Sequence, residues 1–151
     1  MARERLFKRI MLVLDGSEAA TKAAEVAVRM AVESSSQLVA ISVIDTETLR
    51  QLLSKRILVS VEMQDFEAEL EESARRGLRF LEQLARENKV EVGTVILKGS
   101  VHNVVIAEER KRRCDLIVMG SFRHSATQMD LAARERQLIM EEATCPVLLV
   151  K

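Results

Sequence analysis

The chain has 151 residues, enough for one domain with a real core and too few for two. Apolar residues make up 48% and charged residues 30%, a globular balance that excludes a disordered chain. The 23 basic and 23 acidic side chains cancel, so no global field draws in nucleic acid or an anionic membrane, and with no Trp or Tyr there are no large aromatic platforms for single strands.

The N-terminal stretch MARERLFKRIMLVLDG starts basic, as a secretory leader does. Its apolar run Ile10–Leu14 is too short for a leader core and ends at Asp15, and no segment reaches transmembrane length. A cytoplasmic location is expected. Cys114 and Cys145 lie far apart without metal spacing and read as small buried hydrophobes in a reducing compartment.

Ile10–Leu14 is the first predicted strand. Ala20, Ala23, Ala24, Ala27 and Met30 then recur at helical spacing, a small-residue stripe suited to tight packing on a sheet. Leu38–Ile44 is the second strand. The segment 45–63 is the least regular, with a helical turn around Leu49–Leu53 and an apolar patch at Ile57–Val61. It reads as a variable surface connection, or else as a lid or partner-facing loop. Phe66, Leu70, Ala74, Leu78, Leu81 and Leu84 form the next helical stripe, and Val90–Leu97 the third strand. A third helix runs through Val104 and Val105 to Arg113, followed by strand Leu116–Met119. Thr127 with Asp130 makes a capping-box-like start for a fourth helix that ends before Pro146, and Val147–Val150 closes the chain.

Five strands alternating with four helices imply an α/β fold: a parallel sheet covered on both faces, doubly wound, with a topological switch point. The pattern does not give the strand order. It shows no repeat, linker or low-complexity tract, so residues 1–151 read as a single domain.

Two loops are candidate ligand contacts. After the first strand, Asp15 offers a carboxylate to ribose hydroxyls, Gly16 permits a sharp turn, and Ser17 can cap the next helix, whose free N–H groups favour an anion. The plainer reading is a turn and an N-cap. No P-loop spacing follows. After the fourth strand, Gly120 and Ser121 lead into a polar loop with Arg123 and His124, which the switch point can bring beside Asp15. Solvated charges are again the plainer reading. His102 reads as a surface or first-turn residue with nothing nearby to make it a base, and Arg110 to Arg113 read as a solvated run complementing a helix dipole. The scattered methionines read as core filler, not metal ligands. No nucleophile–base pair and no metal constellation are evident, so no catalytic residue is assigned.

Taken together, KRIMLVLDGSEAATKAAEVAVRMA, ISVID, DLIVMGS and CPVLLVK resemble, in order and separation, the first, second, fourth and closing strands of universal stress proteins, over nearly the whole chain. The resemblance implies a Rossmann-like sheet ordered 3-2-1-4-5 and a homodimer paired through the last strand. It also implies ATP or another adenine nucleotide at Val13, Leu14, Asp15, Val43, Met119 and Gly120. The family's phosphate signature, G-x-x-G-x9-G-[ST], falls on Gly120, Arg123, Ala133 and Arg134, so only its first glycine is present. An intact adenosine half and a rewritten phosphate half predict weak or absent ATP binding. The added Cβ atoms at Arg123 and Ala133 are costly if those positions need left-handed backbone. The expected role is a stress-response binding and regulatory dimer without turnover. The alternatives are an ATP-binding protein, even a slow ATP hydrolase, using Arg123 and Arg134 in place of the glycines, and a scaffolding dimer without nucleotide. Protein partners beyond a second copy are unspecified, and neither membrane nor nucleic acid is expected.

Overall fold

The computed structural model describes residues 4–15, 18–56, 59–121 and 131–151. The elements run β1 (Arg9–Leu14), α1 (Glu18–Ser34), β2 (Gln37–Asp45), α2 (Thr46–Ser54), α3 (Ser60–Glu87), β3 (Val92–Gly99), α4 (Val101–Arg112), β4 (Leu116–Gly120), α5 (Leu131–Glu142) and β5 (Val147–Val150). All strand pairs are parallel and the order is β3-β2-β1-β4-β5. The direction of winding reverses between β1 and β4. Their carboxyl ends therefore flank a crevice, the place where open α/β sheets take ligands.

Burial on both faces explains why the strands read as continuous apolar runs. One face carries α1 and α3, whose Ala20, Ala23, Ala24, Ala27, Leu78 and Leu81 pack on Ile10, Leu12, Leu38 and Val118. The other carries α4 and α5 through Val105 and Ile139, over Met11, Val13, Ile41, Ile117 and Met119. Alanines on α1 leave its axis close to the sheet, and the closeness is demanding at one point. A Cβ on Gly120 would lie 2.6 Å from the Ala19 carbonyl carbon and 2.8 Å from the Ala20 nitrogen, so the carboxyl end of β4 needs glycine to admit α1.

Three expectations change. The segment 45–63 is not irregular throughout: α2 occupies Thr46–Ser54, with Asp45 as its cap. Asp45 Oδ1 accepts the Thr48 N–H at 3.0 Å and Oδ2 accepts the Thr48 hydroxyl at 2.6 Å. Next, α3 begins at Ser60, before the stripe that predicted it, and Phe66 is exposed. Its 28 residues span about 42 Å, whereas an eight-residue strand spans about 26 Å, so the helix is longer than the strand it covers, and its buried residues start at Ala74. Third, β3 starts at Val92, not Val90, because the Val90 N–H is spent on Ala85 O (2.8 Å) at the end of α3. The Gly16–Ser17 turn and cap, the Thr127–Asp130 capping box, Arg123, His124 and part of the Ile57–Val61 patch lie outside the described residues.

Candidate functional site

Register alone assembles most of the expected nucleotide positions. Val13 of β1 pairs with Ile41 on one side and with Met119 of β4 on the other, while Leu14 pairs with Ser42. The Ser42 hydroxyl donates to Leu14 O at 3.3 Å, fixing the last residue of β1 level with Ser42 of β2. Val43, half-buried, continues β2 past that level and packs on the same cluster as Val13 and Met119. Asp15 follows immediately and is exposed, a carboxylate at the carboxyl end of the strand beside the switch point. Val13, Leu14, Met119 and Gly120 are buried. Val13 and Met119 pack on the α4 and α5 side of the sheet, Leu14 and Gly120 on the α1 side, and Asp15 stands exposed at the end of β1.

The phosphate-side positions are brought together only in part. Ala133, half-buried, and Arg134, exposed, both lie in the first turns of α5, and neither is among the residues with positive φ. Ala133 therefore carries no left-handed strain, and inside α5 an alanine suits the helix better than a glycine. Arg123 is outside the described residues.

α5 also makes two contacts that no sequence pattern marks. Arg136 reaches the end of β1, where its Nη2 donates to Asp15 Oδ2 in an ion pair. Its neighbour Glu135 turns to α4. There Glu135 Oε2 accepts the backbone N–H of His102 at 2.8 Å and also meets His102 Nδ1. Ser100 precedes α4 without capping it; its hydroxyl lies 3.1 Å from the same Nδ1. Glu135 thus supplies the missing cap from another helix. His102 is correspondingly half-buried and has an acidic partner, a correction to its reading as an unsupported first-turn residue. Ser100 and Glu135 share one ring nitrogen, so this is not a relay that activates a serine nucleophile, which needs base and acid on opposite nitrogens.

A second polar cluster lies under β5. Glu109 of α4 is buried and its Oε1 accepts both the N–H and the hydroxyl of Thr144, while Oε2 has no hydrogen-bond partner. Burial pushes the Cys114 thiol up to about 11; burial and the adjacent Glu109 carboxylate push Cys145 up to about 12. Both stay protonated at neutral pH, consistent with packing residues. Among the described residues no group of His, Cys, Asp and Glu is arranged to hold a metal, and no helix is long and apolar enough to cross a membrane.

The family model described as the universal stress protein family matches residues 6–151. The chain belongs to that family. A universal stress protein of Methanocaldococcus jannaschii is 30% identical over 148 residues, covering 98% of this chain and 84% of the relative. Among solved structures, the universal stress protein UspA of Lactobacillus plantarum superposes with a TM-score of 0.74 at 20% identity, covering 95% of this chain and 97% of that one. A universal stress protein in complex with cAMP superposes with a TM-score of 0.68 at 14% identity, covering 96% and 97%. At these identities the two structures speak for the fold, which is the Rossmann-like α/β arrangement and strand order that the sequence resemblance implied.

Proposed function

We propose that this universal stress protein is a cytoplasmic, one-domain homodimer that works by binding and regulation, not turnover, and takes an adenosine-type ligand at the carboxyl ends of β1, β2 and β4. The observation that carries this reading is the placement of Asp15: an exposed carboxylate at the end of β1, next to the switch point, with Val13, Val43 and Met119 as apolar neighbours. Such a carboxylate accepts from ribose hydroxyls, and the side chains beneath it suit a purine. The relative solved with cAMP supports an adenosine monophosphate as the ligand class. ATP binds weakly in this reading, because Ala133 and Arg134 stand where the family signature has small, phosphate-cradling residues.

Calorimetry with AMP, cAMP and ATP tests it. The monophosphates bind more tightly than ATP, and Asp15→Ala weakens them by about 1.5–3 kcal/mol, the range for hydrogen bonds to a charged group. Equal affinity in parent and variant removes Asp15 from the site and leaves it only a turn.

A slow nucleotide-cleaving activity is the second reading, favoured by the contact of His102 with Glu135, since it supplies an acid–base pair whose second member immediately precedes Arg136. Phosphate release above a buffer blank, abolished in His102→Gln, supports it; release unchanged by that substitution sinks it.

A further inference from the structure

We propose that the amino-terminal end of the sheet carries a second ligand site, for a small polyanion bearing two or more phosphate or carboxylate groups. Strands β1, β2 and β3 begin at a common level there: Arg9 pairs with Gln37, and Leu38 with Val92. Beneath them lies a pocket of about 460 Å³, within the range of small-molecule sites. Arg9 borders it from β1, and Lys111 and Arg112 from the last turn of α4, over an apolar floor that includes Leu38, Val39 and Cys114. A second hollow of about 610 Å³ shares Arg9 and Gln37 with the first and adds Arg5, Lys8 and Arg113. The two form one trough.

Its charge is not neutralised locally. Six cations line the trough against the carboxylates of Glu4, Glu91 and Asp115. Asp115 spends both oxygens on backbone, accepting the N–H groups of Lys8 (2.8 Å) and Arg9 (3.0 Å). Arg112 is paired with Glu108 at 2.7 Å. Among the described residues, no ion pair joins the side chains of Arg5, Lys8, Arg9, Lys111 or Arg113 to a carboxylate. The Arg9 guanidinium instead donates to Arg112 O at 3.3 Å, a contact that holds it against the α4 side of the pocket. Cations in the last turn of a helix complement its dipole, and that accounts for Lys111 to Arg113. It does not account for Arg5, Lys8 and Arg9, which arrive from the N-terminal segment and β1. Like charges converging from two elements in a chain of zero net charge are stabilised by an anion between them.

Gly93 adds an opening in the floor. Lying in β3 without positive φ, it has Val39 Cγ2 at 4.0 Å as the neighbour of a would-be Cβ, so the backbone does not require glycine there and the missing side chain leaves space. The adenosine cleft explains none of this, since it lies at the opposite ends of the same strands. Cations on both walls select a ligand with at least two charges. The pocket's volume, that of a small-molecule site, and the chain's lack of Trp and Tyr favour a small molecule over a nucleic acid.

Inorganic pyrophosphate and citrate, titrated separately into the full chain by calorimetry, test the proposal. Saturable binding of either one supports it: pyrophosphate alone assigns phosphate, and citrate alone or both together assign carboxylate or general polyanion recognition. Arg9→Ala and Lys111→Ala each weaken binding tenfold or more, Gly93→Leu fills the floor and abolishes it, and Asp15→Ala leaves it unchanged, separating this site from the cleft. Should Gly93→Leu fail to fold, the two charge variants decide. Binding that survives Arg9→Ala and Lys111→Ala overturns the site, as does binding lost in Asp15→Ala or an absence of saturation at millimolar ligand. A single-stranded oligonucleotide that displaces pyrophosphate with a steep salt dependence also overturns it, in favour of a nucleic-acid surface.

Discussion

Arg136 of α5 holds Asp15 at the end of β1 through an ion pair between residues 121 positions apart, with the Arg136 side chain 12% exposed and that of Asp15 41% exposed. The carboxylate best placed to receive a ribose is therefore already engaged by a guanidinium from the protein itself. A ligand hydroxyl must share that carboxylate or displace the arginine.

Replacing Arg136 by Gln is expected to tighten AMP binding by up to about fivefold. The gain is small because an ion pair with one partner this exposed contributes no more than about 1 kcal/mol. Calorimetry on parent and variant checks it. Weaker AMP binding in Arg136→Gln would instead make Arg136 a ligand contact, with Asp15 serving to aim it.

Gly120→Ala tests whether this glycine serves packing before it serves any ligand. Its Cβ would meet backbone atoms of Ala19 and Ala20, which cannot rotate aside as a flexible side chain does. A loss of about 1–3 kcal/mol in stability by urea unfolding, the usual cost of overpacking, is expected without any ligand present. Unchanged stability with impaired AMP binding would show that α1 yields and that the glycine matters only to the site.

The alternation of strands and helices is legible because the central strands β1 and β4 are covered on both faces, which leaves short apolar runs, whereas the edge strands β3 and β5 are only partly covered. α2 reads from the sequence only as a helical turn around Leu49–Leu53, although Asp45 three residues before Thr48 is an N-cap pattern that marks its start at Thr46. Phe66 misled because helical spacing reports a face and not where the sheet beneath it stops. Asp15 and Gly120 stand out because they close strands that the pattern marks, while Val13 and Met119 come only from the resemblance to the family. Arg136 and Glu135 do not stand out, since their partners Asp15 and His102 come from distant elements that only the crossover geometry brings to α5.

The two thiols give a pH-dependent test. Cys114 is pushed up to about 11 by burial first of all, and Cys145 to about 12 by burial and then by Glu109. The thiolate is the reactive form and burial disfavours it, so modification of the native protein at pH 8 should be slower than that of a free thiol by a hundredfold or more. A pKa raised on folding contributes stability that is full below the unfolded value and lost as pH climbs toward the folded one. Denaturant midpoints are therefore expected to fall between about pH 9 and 12, and to fall less in Cys145→Ala. Rapid labelling of both cysteines in the folded chain at pH 8 would contradict this environment.

The last prediction concerns assembly. β5 pairs with β4 on one side and ends the sheet order, so the other side of Val147–Val150 is a strand edge. Leu148 and Val150 pack against the α1 face, whereas Leu149 is 37% exposed, and the strand carries no charge until Lys151. An apolar edge of this kind, unguarded by charge or proline along its four residues, invites pairing with another strand. In a two-fold dimer the same edge serves both copies, so one substitution acts twice. Fully burying a leucine is worth about 1.5–3 kcal/mol, and Leu149 has part of that still to gain, whereas a lysine there must desolvate its ammonium or leave the contact. Light scattering should give a dimer for the parent and a monomer for Leu149→Lys, with unchanged circular dichroism because the site already faces solvent in the isolated chain. A dimer undiminished by the substitution moves the interface to another surface, and a monomeric parent removes the dimer altogether.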